Sequence, residues 1–493
     1  MATNQIERNI LTIIEPTIEL DELSIPDVES GTENSNGQTI KEKPSKFSQM
    51  IPEIRINGYD VQGDRLEFFR LRNTEFYPTC RIIFSDVDGF FLARFFPKDG
   101  DLIQVHIRSQ GDETTFKPIR IDFLVTYISP AGGGGNVSAN KFIVEGRMNV
   151  PNLFTERAAF YEDTSWNTLL TIAEELQLGY ASNVEDTADS MTWINPNDTA
   201  EKFILDTIAN SYLNDDTFFT AYIDPYYYLT FVDVNRLFNQ EGDIEVSQAY
   251  AQNAGDTMGA EDASGQVDEY PNFLGNMLQM QGSARYISKY EMISETGAVS
   301  KDNGYKRYAQ YWDLEAKEFV SEFIDPLTDN TPGMIPVTKG RIINGEPEGP
   351  RDNQNRFKYL GMSGDNVHDE YMYSVILNYQ NLVEVTKMGM IIELDTINPA
   401  LVRYSRIYCQ ILEFAQPIKD VLLNPSTSEQ NPNPNSQQRD INPLLDDTST
   451  ENGVINEFLS GFYVINGLEY ILTTPGGIRM KLYLQRREFT PST

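Results

Sequence analysis

The chain of 493 residues has room for roughly two to four domains. Its 73 acidic against 39 basic residues leave a formal net charge of −34, a surface that repels nucleic acid and anionic membranes and excludes a function built on holding either. A hydrophobic share of 40%, with 27 Phe and 26 Tyr, marks a folded, strand-rich protein, and no apolar run approaches the roughly 18 residues of a membrane span.

Residues 1–50 read as an extended polar arm that orders on a partner if at all. Only Ile10–Ile14 has strand character, and 31–46 lacks any periodicity. Nothing at the N-terminus has the basic-then-apolar plan of a secretory signal, so synthesis and assembly in a cytoplasm are expected. From residue 51 the pattern turns to strands: 54–59, 79–84, 90–96, 101–108 after an Asp99-Gly100 turn, then 119–128 and 141–150. Short strands at this spacing predict a small antiparallel barrel or sandwich over 51–155. The glycine run Gly132–Gly135 precedes a strand and lacks a following Lys-Ser or Lys-Thr pair, so it reads as a hairpin tip rather than a phosphate cradle.

The segment 156–240 changes period. Trp166, Leu169, Leu170, Ala173 and Leu176 share one helical face, with Thr164 as cap and Gly179 as stop, predicting a helix over 165–178. A second helix is expected after Asp198, whose carboxylate caps it with Glu201 completing a capping-box pattern and Phe203, Ile204, Thr207, Ile208 and Ser211 forming a stripe. Strands over 217–223 and 227–234 follow, split by Asp224-Pro225, and Tyr226, Tyr227 and Tyr228 read as packing rather than a ligand box. These are the only two convincing helices in the sequence.

Residues 241–365 read as an irregular insertion or additional domain, loop-like over 239–271 and holding a short helix at 315–323. Strand patterning resumes over 371–379, 383–394 and 402–414. A long Asn- and Pro-rich surface loop occupies 416–452, and two last strands run over 461–473 and 478–489. The arms end alike: Ile121–Ile128 and Phe142–Arg147 in the first match Phe462–Ile471 and Met480–Arg486 in the second, so internal duplication is an open expectation.

Chemistry is sparse. His106 and His368 are the two histidines, and neither has a ligand partner at metal spacing. His106 reads as a surface or barrel-wall residue, and His368, between Asp365 and Asp369, as part of a solvated turn. Cys80 and Cys409 are expected to be buried free thiols. No serine lies in a nucleophile elbow, and carboxylate pairs carry no information in so acidic a chain. No catalytic, cofactor-binding or metal-ligating residue is therefore assigned, and no cofactor is expected.

The plan of Asp99-Gly100-Asp101-Leu102-Ile103-Gln104-Val105, then Thr164-Ser165-Trp166-Asn167-Thr168-Leu169-Leu170, then Asn197-Asp198-Thr199-Ala200-Glu201-Lys202-Phe203-Ile204 and the hairpin over 221–234 resembles the baseplate hub proteins of contractile-tailed bacteriophages and related injection systems. The resemblance covers about 50–240 and, more loosely, 370–490. It implies an α+β, mainly β fold, in which two tube-like antiparallel β-barrel domains (51–155 and 366–493) flank a helix-helix-hairpin module, with extra loop-rich insertions. It also implies a non-enzymatic virion protein of the tail baseplate, a homotrimer whose pseudo-sixfold ring joins the tail tube or tube-initiator protein to a central spike protein beside other baseplate (wedge) proteins. DNA would pass transiently through an acidic lumen without specific binding. The leader, the 241–365 region and the Asn/Pro loop depart from smaller hubs and inherit nothing. The rival classes are a cell-wall-degrading enzyme of the phage tail, for which 241–365 is the only room, and a monomeric glycan-binding module using aromatic strands.

Overall fold

The structure, a computed structural model, describes residues 10–20, 52–61, 65–107, 118–131, 140–215, 217–239, 249–252, 286–294, 307–313, 316–324, 358–359, 362–363, 366–386, 388–394, 401–413, 454–456, 459–473 and 477–486. The fold is α+β and mainly β, as expected. The glycine run, the 31–46 segment and the 416–452 loop lie outside the described residues, as does most of 241–365.

The N-terminal arm differs from expectation over residues 10–20. Strand β1 (Leu11–Ile14) pairs antiparallel with a strand of the central module, Ile10 is buried, and the Glu15 carboxylate accepts the Tyr228 hydroxyl. This stretch orders on its own chain, because one apolar anchor and three ladder residues find an open sheet edge.

The first arm contains β2 (Glu53–Ile56), β3 (Tyr59–Val61), β4 (Leu66–Asn73), β5 (Thr79–Asp86), helix α1 (Phe90–Ala93), β6 (Leu102–Ile107), β7 (Ile119–Ala131) and β8 (Asn140–Met148). Strict alternation puts Cys80, Ile82 and Phe84 of β5, and Ile119, Ile121, Phe123 and Val125 of β7, on the inner face. Each fully buried aromatic or aliphatic side chain there contributes roughly 1.5–3 kcal/mol. Strand β4 is an addition to the strands expected from sequence. In place of the strand expected at 90–96, the chain turns through Gly89 (φ 66°) into α1 and Asp86 accepts the Leu92 amide at 2.9 Å. Phe91 then packs edge-on against Phe84, their ring centroids 4.9 Å apart, an aromatic contact that a straight strand would forfeit.

The central segment is richer than two helices and a hairpin. It holds β9 (Glu156–Asp163), α2 (Ser165–Glu175), β10 (Gly179–Ser182), β11 (Met191–Thr199), α3 (Ala200–Ala209), β12 (Phe219–Ile223), β13 (Tyr228–Asp233) and α4 (Val234–Asn239). Strands β9 and β11 form a two-stranded ribbon, and β1, β10, β13 and β12 form a sheet in that order. Helix α2 is capped by Thr164 as expected, but it ends at Glu175 and leaves through Gln177 at φ 60°, so Gly179 opens a strand instead of stopping a helix. The cap of α3 is Thr199, whose hydroxyl accepts the Lys202 amide at 3.3 Å. Asp198 is one residue too early and forms an ion pair with the Lys202 ammonium.

Beyond the module come β14 (Ala249–Gln252), β15 (Tyr286–Ser294), β16 (Arg307–Asp313), β17 (Glu318–Ile324), β18 (Lys358–Tyr359), β19 (Met362–Ser363), α5 (Tyr371–Thr386), β20 (Met388–Leu394), β21 (Arg406–Gln410), β22 (Leu412–Glu413), β23 (Val454–Ile455), β24 (Gly461–Thr473) and β25 (Gly477–Gln485). Strand β14 falls within the stretch read as loop. The helix expected at 315–323 is strand β17, antiparallel to β16; Phe319 and Phe323, four apart, imitate a helical stripe. The reverse error occurs at 371–386, where Tyr, Val and Ile suggest strands but the chain forms α5.

Thirteen strands share one sheet, ordered β21-β14-β15-β20-β25-β24-β4-β5-β8-β7-β6-β2-β3. Strand β21 also pairs with β24, which closes β21, β14, β15, β20, β25 and β24 into a barrel. In the first arm no pairing among the described residues closes the sheet. The same strand order occurs in both arms: β4-β5-β8-β7-β6-β2 in the first and β15-β20-β25-β24-β21-β14 in the second, with the strands in corresponding chain order. Each arm ends in a hairpin of a 13-residue and a 9-residue strand, with a single bulge in the longer one. The copies differ at one edge, since β2 meets β6 antiparallel whereas β14 meets β21 parallel.

Candidate assembly surfaces

Strand β24 changes partner along one edge. Its first residues pair with β21 and its last, Leu468–Thr473, with β4, so one strand joins the two arms. The bulge at Asn466 marks the changeover, and at Gly467 any side chain would meet Thr74, with its Cα 3.3 Å from the added carbon. Arg403 fills the junction. It is 6% exposed, its Nε donates to the Asn466 carbonyl at 2.6 Å, and its Nη1 donates to the Glu75 carbonyl at 2.5 Å. The guanidinium lies over the Tyr222 ring at 4.7 Å, and the Tyr222 hydroxyl donates back to the Arg403 carbonyl at 2.7 Å. One side chain thus ties the first arm, the central segment and the second arm. Its planar fork and exposed π-face suit it to carbonyls and an aromatic ring together.

Two further joints flank it. The Asp122 amide of β7 donates to the Tyr227 hydroxyl at 2.9 Å, and the Ile223 amide to the Phe76 carbonyl at 2.6 Å. Tyr227 and Tyr404 hold φ near 64° and 59°, a left-handed backbone that non-glycine residues adopt only under constraint.

The C-terminal end of α3 is capped from a distance. Asn378 on α5 donates to the carbonyls of Ile208, Ala209 and Ser211 and accepts the Phe219 amide at 2.8 Å. The Ser374 hydroxyl donates to Asn210 at 3.0 Å, and His368 Nε2 lies 2.9 Å from the same carbonyl. His368 is therefore buried packing rather than part of a solvated turn. Its ring lies near those of Trp193, Tyr212 and Tyr371, and burial holds the imidazole below its usual range. His106 is a buried wall residue with Nδ1 3.7 Å from a Glu53 carboxylate oxygen. Cys80 and Cys409 are buried and free, and burial raises both thiols well above the reactive range. Tyr226, Tyr227 and Tyr228 are buried, as read from sequence. Asp233 accepts the amides of Phe218 and Asn235, yet burial pushes its carboxyl up to about 6.

Among the described residues no group of three His, Cys, Asp or Glu side chains could hold a metal ion, and no helix is long and apolar enough to cross a membrane. What the surface does carry is apolar. Tyr59, Val87, Leu92, Phe95 and Phe96 are exposed around β3 and α1; Phe160 and Ile194 are exposed on the ribbon. Neither these patches nor Arg403 were found from sequence. A Phe-rich stretch reads the same whether its rings face a core or solvent, and a buried arginine whose contacts include carbonyls distant in sequence leaves no local pattern.

No family model and no curated protein matches this chain. Solved structures similar to it include a tail protein from Neisseria meningitidis, at 8% identity and a TM-score of 0.45, over 89% of this chain and 96% of that one. A prophage 43 kDa tail protein from Shewanella oneidensis is similar at 7% identity and a TM-score of 0.46, over 89% and 99%. An E. coli component of the type VI secretion system, described as structurally similar to two bacteriophage T4 tail proteins, is similar at 6% identity and a TM-score of 0.37, over 90% and 79%. The likeness is one of chain trace, to tail-type structural proteins, and at these values it bears on neither activity nor partners.

Proposed function

We propose that this chain is a baseplate hub of a contractile tail: a structural virion protein, three copies of which form a ring with near-sixfold symmetry. The observation that carries this reading is the repeated six-strand order of the two arms. A chain with two similar tube-like units, the first within 51–155 and the second built from strands of 366–493 together with β14 and β15, lets a trimer present six similar edges to a sixfold tail tube or tube-initiator protein. The same trimer retains a threefold face for a central spike protein. Wedge proteins would meet its outer wall. DNA would pass through the ring during ejection, and the net charge of −34 opposes the phosphate contacts that would arrest it. The chain has no catalytic role in this reading, and the fused sheet is a scaffold.

Light scattering after size exclusion tests the ring. The expected mass is three times the 56.1 kDa of one chain, for the protein alone or after mixing with its spike. A strict monomer under both conditions would remove the ring and return the glycan-binding and hydrolase classes to consideration.

A further inference from the structure

Two exposed apolar patches differ in shape and in the charges at their rims. The first is concave: Tyr59, Leu92, Phe95, Phe96 and Lys98 help line a groove of about 290 Å³. Tyr59 packs on Phe95 with ring centroids 3.9 Å apart. Arg94 and Lys98 are exposed beside it, and among the described residues neither side chain has a carboxylate partner. Asp101, whose carboxylate accepts the Lys98 amide at 2.6 Å, lines the same groove, so its rim carries both signs, with Arg94 and Lys98 as its cations.

The second patch projects. On the outer face of the β9–β11 ribbon, Phe160 (69% exposed) stands directly opposite Ile194 (61% exposed), and the next rung outward pairs Ala158 with Pro196. Exposed Glu156 and Glu162 bound the same face. The ribbon cannot turn these residues inward. Its other face is fixed by Tyr161 stacked on Phe203, Trp193 donating to the Asp163 carbonyl at 2.9 Å, and Arg157 bonded to Glu175. Period-two geometry then forces Phe160 and Ile194 into solvent.

The patches lie at opposite ends of β8. Phe96 packs on Phe142 near its start. Beyond its end, Phe154 lies under the Arg147 guanidinium at 3.8 Å before the ribbon begins. The intervening strand spans about 20 Å, so the two patches do not cover each other within one chain.

We propose that they are the two halves of one head-to-tail contact between copies of this chain. The Phe160–Ile194 ribbon of one copy seats in the Tyr59–Phe95–Phe96 groove of the next, with Arg94 and Lys98 facing Glu162 and Glu156. This rests on the ring reading above and adds to it the surfaces that meet. Opposite charge at the rims gives register and partial relief from the repulsion between acidic chains. Because the two surfaces are unlike, the contact is heterologous and propagates round a ring instead of stopping at a pair. Strand addition is not the mechanism: β3 is three residues long and its exposed Asp60 is ion-paired with Arg55.

The test uses the full chain with one patch altered at a time: Phe95→Asp with Arg94→Glu for the groove, Phe160→Asp with Ile194→Lys for the ribbon. All four side chains are exposed, so melting temperatures within a few degrees of the parent certify folding. Each variant alone is expected to drop about threefold in mass to a monomer. Mixing the two leaves one intact groove and one intact ribbon, and is expected to give a complex of two chains and no larger ring. Single variants that keep the parental mass overturn the surface assignment and leave the ring standing. A mixture that stays monomeric, or that recovers the full ring, overturns the head-to-tail pairing. A parent that is monomeric alone and with its spike overturns the ring and this contact with it. An independent check pairs Phe95→Cys with Phe160→Cys in one chain; the native thiols are buried, so oxidation should give an intermolecular ladder ending at the ring, and its absence in a ring-forming parent rejects the contact.

Discussion

Arg403 and Asp233 place charge inside the molecule with opposite consequences. Arg403 has backbone carbonyls and aromatic faces around it, so its charge is matched by dipoles, and removing it would strand the Glu75 and Asn466 carbonyls. Arg403→Met is expected to cost about 2–4 kcal/mol of stability, read as a lowered urea midpoint. Arg403→Lys should recover only part, since one ammonium cannot hold both carbonyls and the ring contact. Equal stability of all three proteins would remove Arg403 from the junction. Asp233 is the contrary case. Its folded carboxyl sits at about 6, above the ordinary value of 3.8, so the native state binds the proton more readily than the unfolded chain. The stability held by the neutral form is full below about pH 4 and is lost as pH rises through about 6. Asp233→Asn keeps an acceptor for the Phe218 and Asn235 amides and carries no charge. Its melting temperature relative to wild type should therefore improve from pH 4.5 to pH 8, by a few degrees. A difference that does not change with pH would show that burial of this carboxylate costs nothing.

Elements were legible where their pattern was local and lost where a distant partner defined them. Leu169, Ala173 and Leu176 gave α2 away through their spacing, Thr164 its start, and alternation in β6, β7 and β8 their strands. Helix α5 stayed hidden because Ser374 and Asn378 occupy its inner face. They are buried by their bonds to the end of α3, and read as polar interruptions until that end is in view. Strand β4 and helix α1 failed for a related reason, being shaped by the sheet and the Phe84–Phe91 contact rather than by their own propensity. Asn378→Ala should remove its bonds to three carbonyls and to the Phe219 amide, costing about 1–3 kcal/mol and speeding hydrogen exchange in the last turn of α3 and the first residues of β12. Asn378→Asp keeps the acceptor for Phe219 while losing the donors, so exchange should rise in α3 and stay slow at Phe219. Uniform exchange in both variants would mean that α3 is capped by other means.

At the scale of the molecule, two arms with one strand order are fused through β24 and β4 and held at Arg403, with the helical segment between them. From sequence, only the closing hairpins suggested the repeat. The parallel edge at β14, the insertion of β16–β19 and α5 between β15 and β20, and the long connection between β22 and β23 dilute it beyond the reach of pattern reading. Fusion through a shared strand ties the two arms together, as the proposed symmetry adaptor would require: independently tumbling arms could not present equal edges to a sixfold neighbour. The exposed groove and ribbon remain apolar because, in this account, they are covered in the assembly. The most direct measurement is electron microscopy of the assembled protein, alone or with its spike, averaged along the ring axis without imposed symmetry. The expected image is a threefold ring with six similar lobes around an open channel. A ring of another order, or three chains with no six-lobed outline, would contradict it.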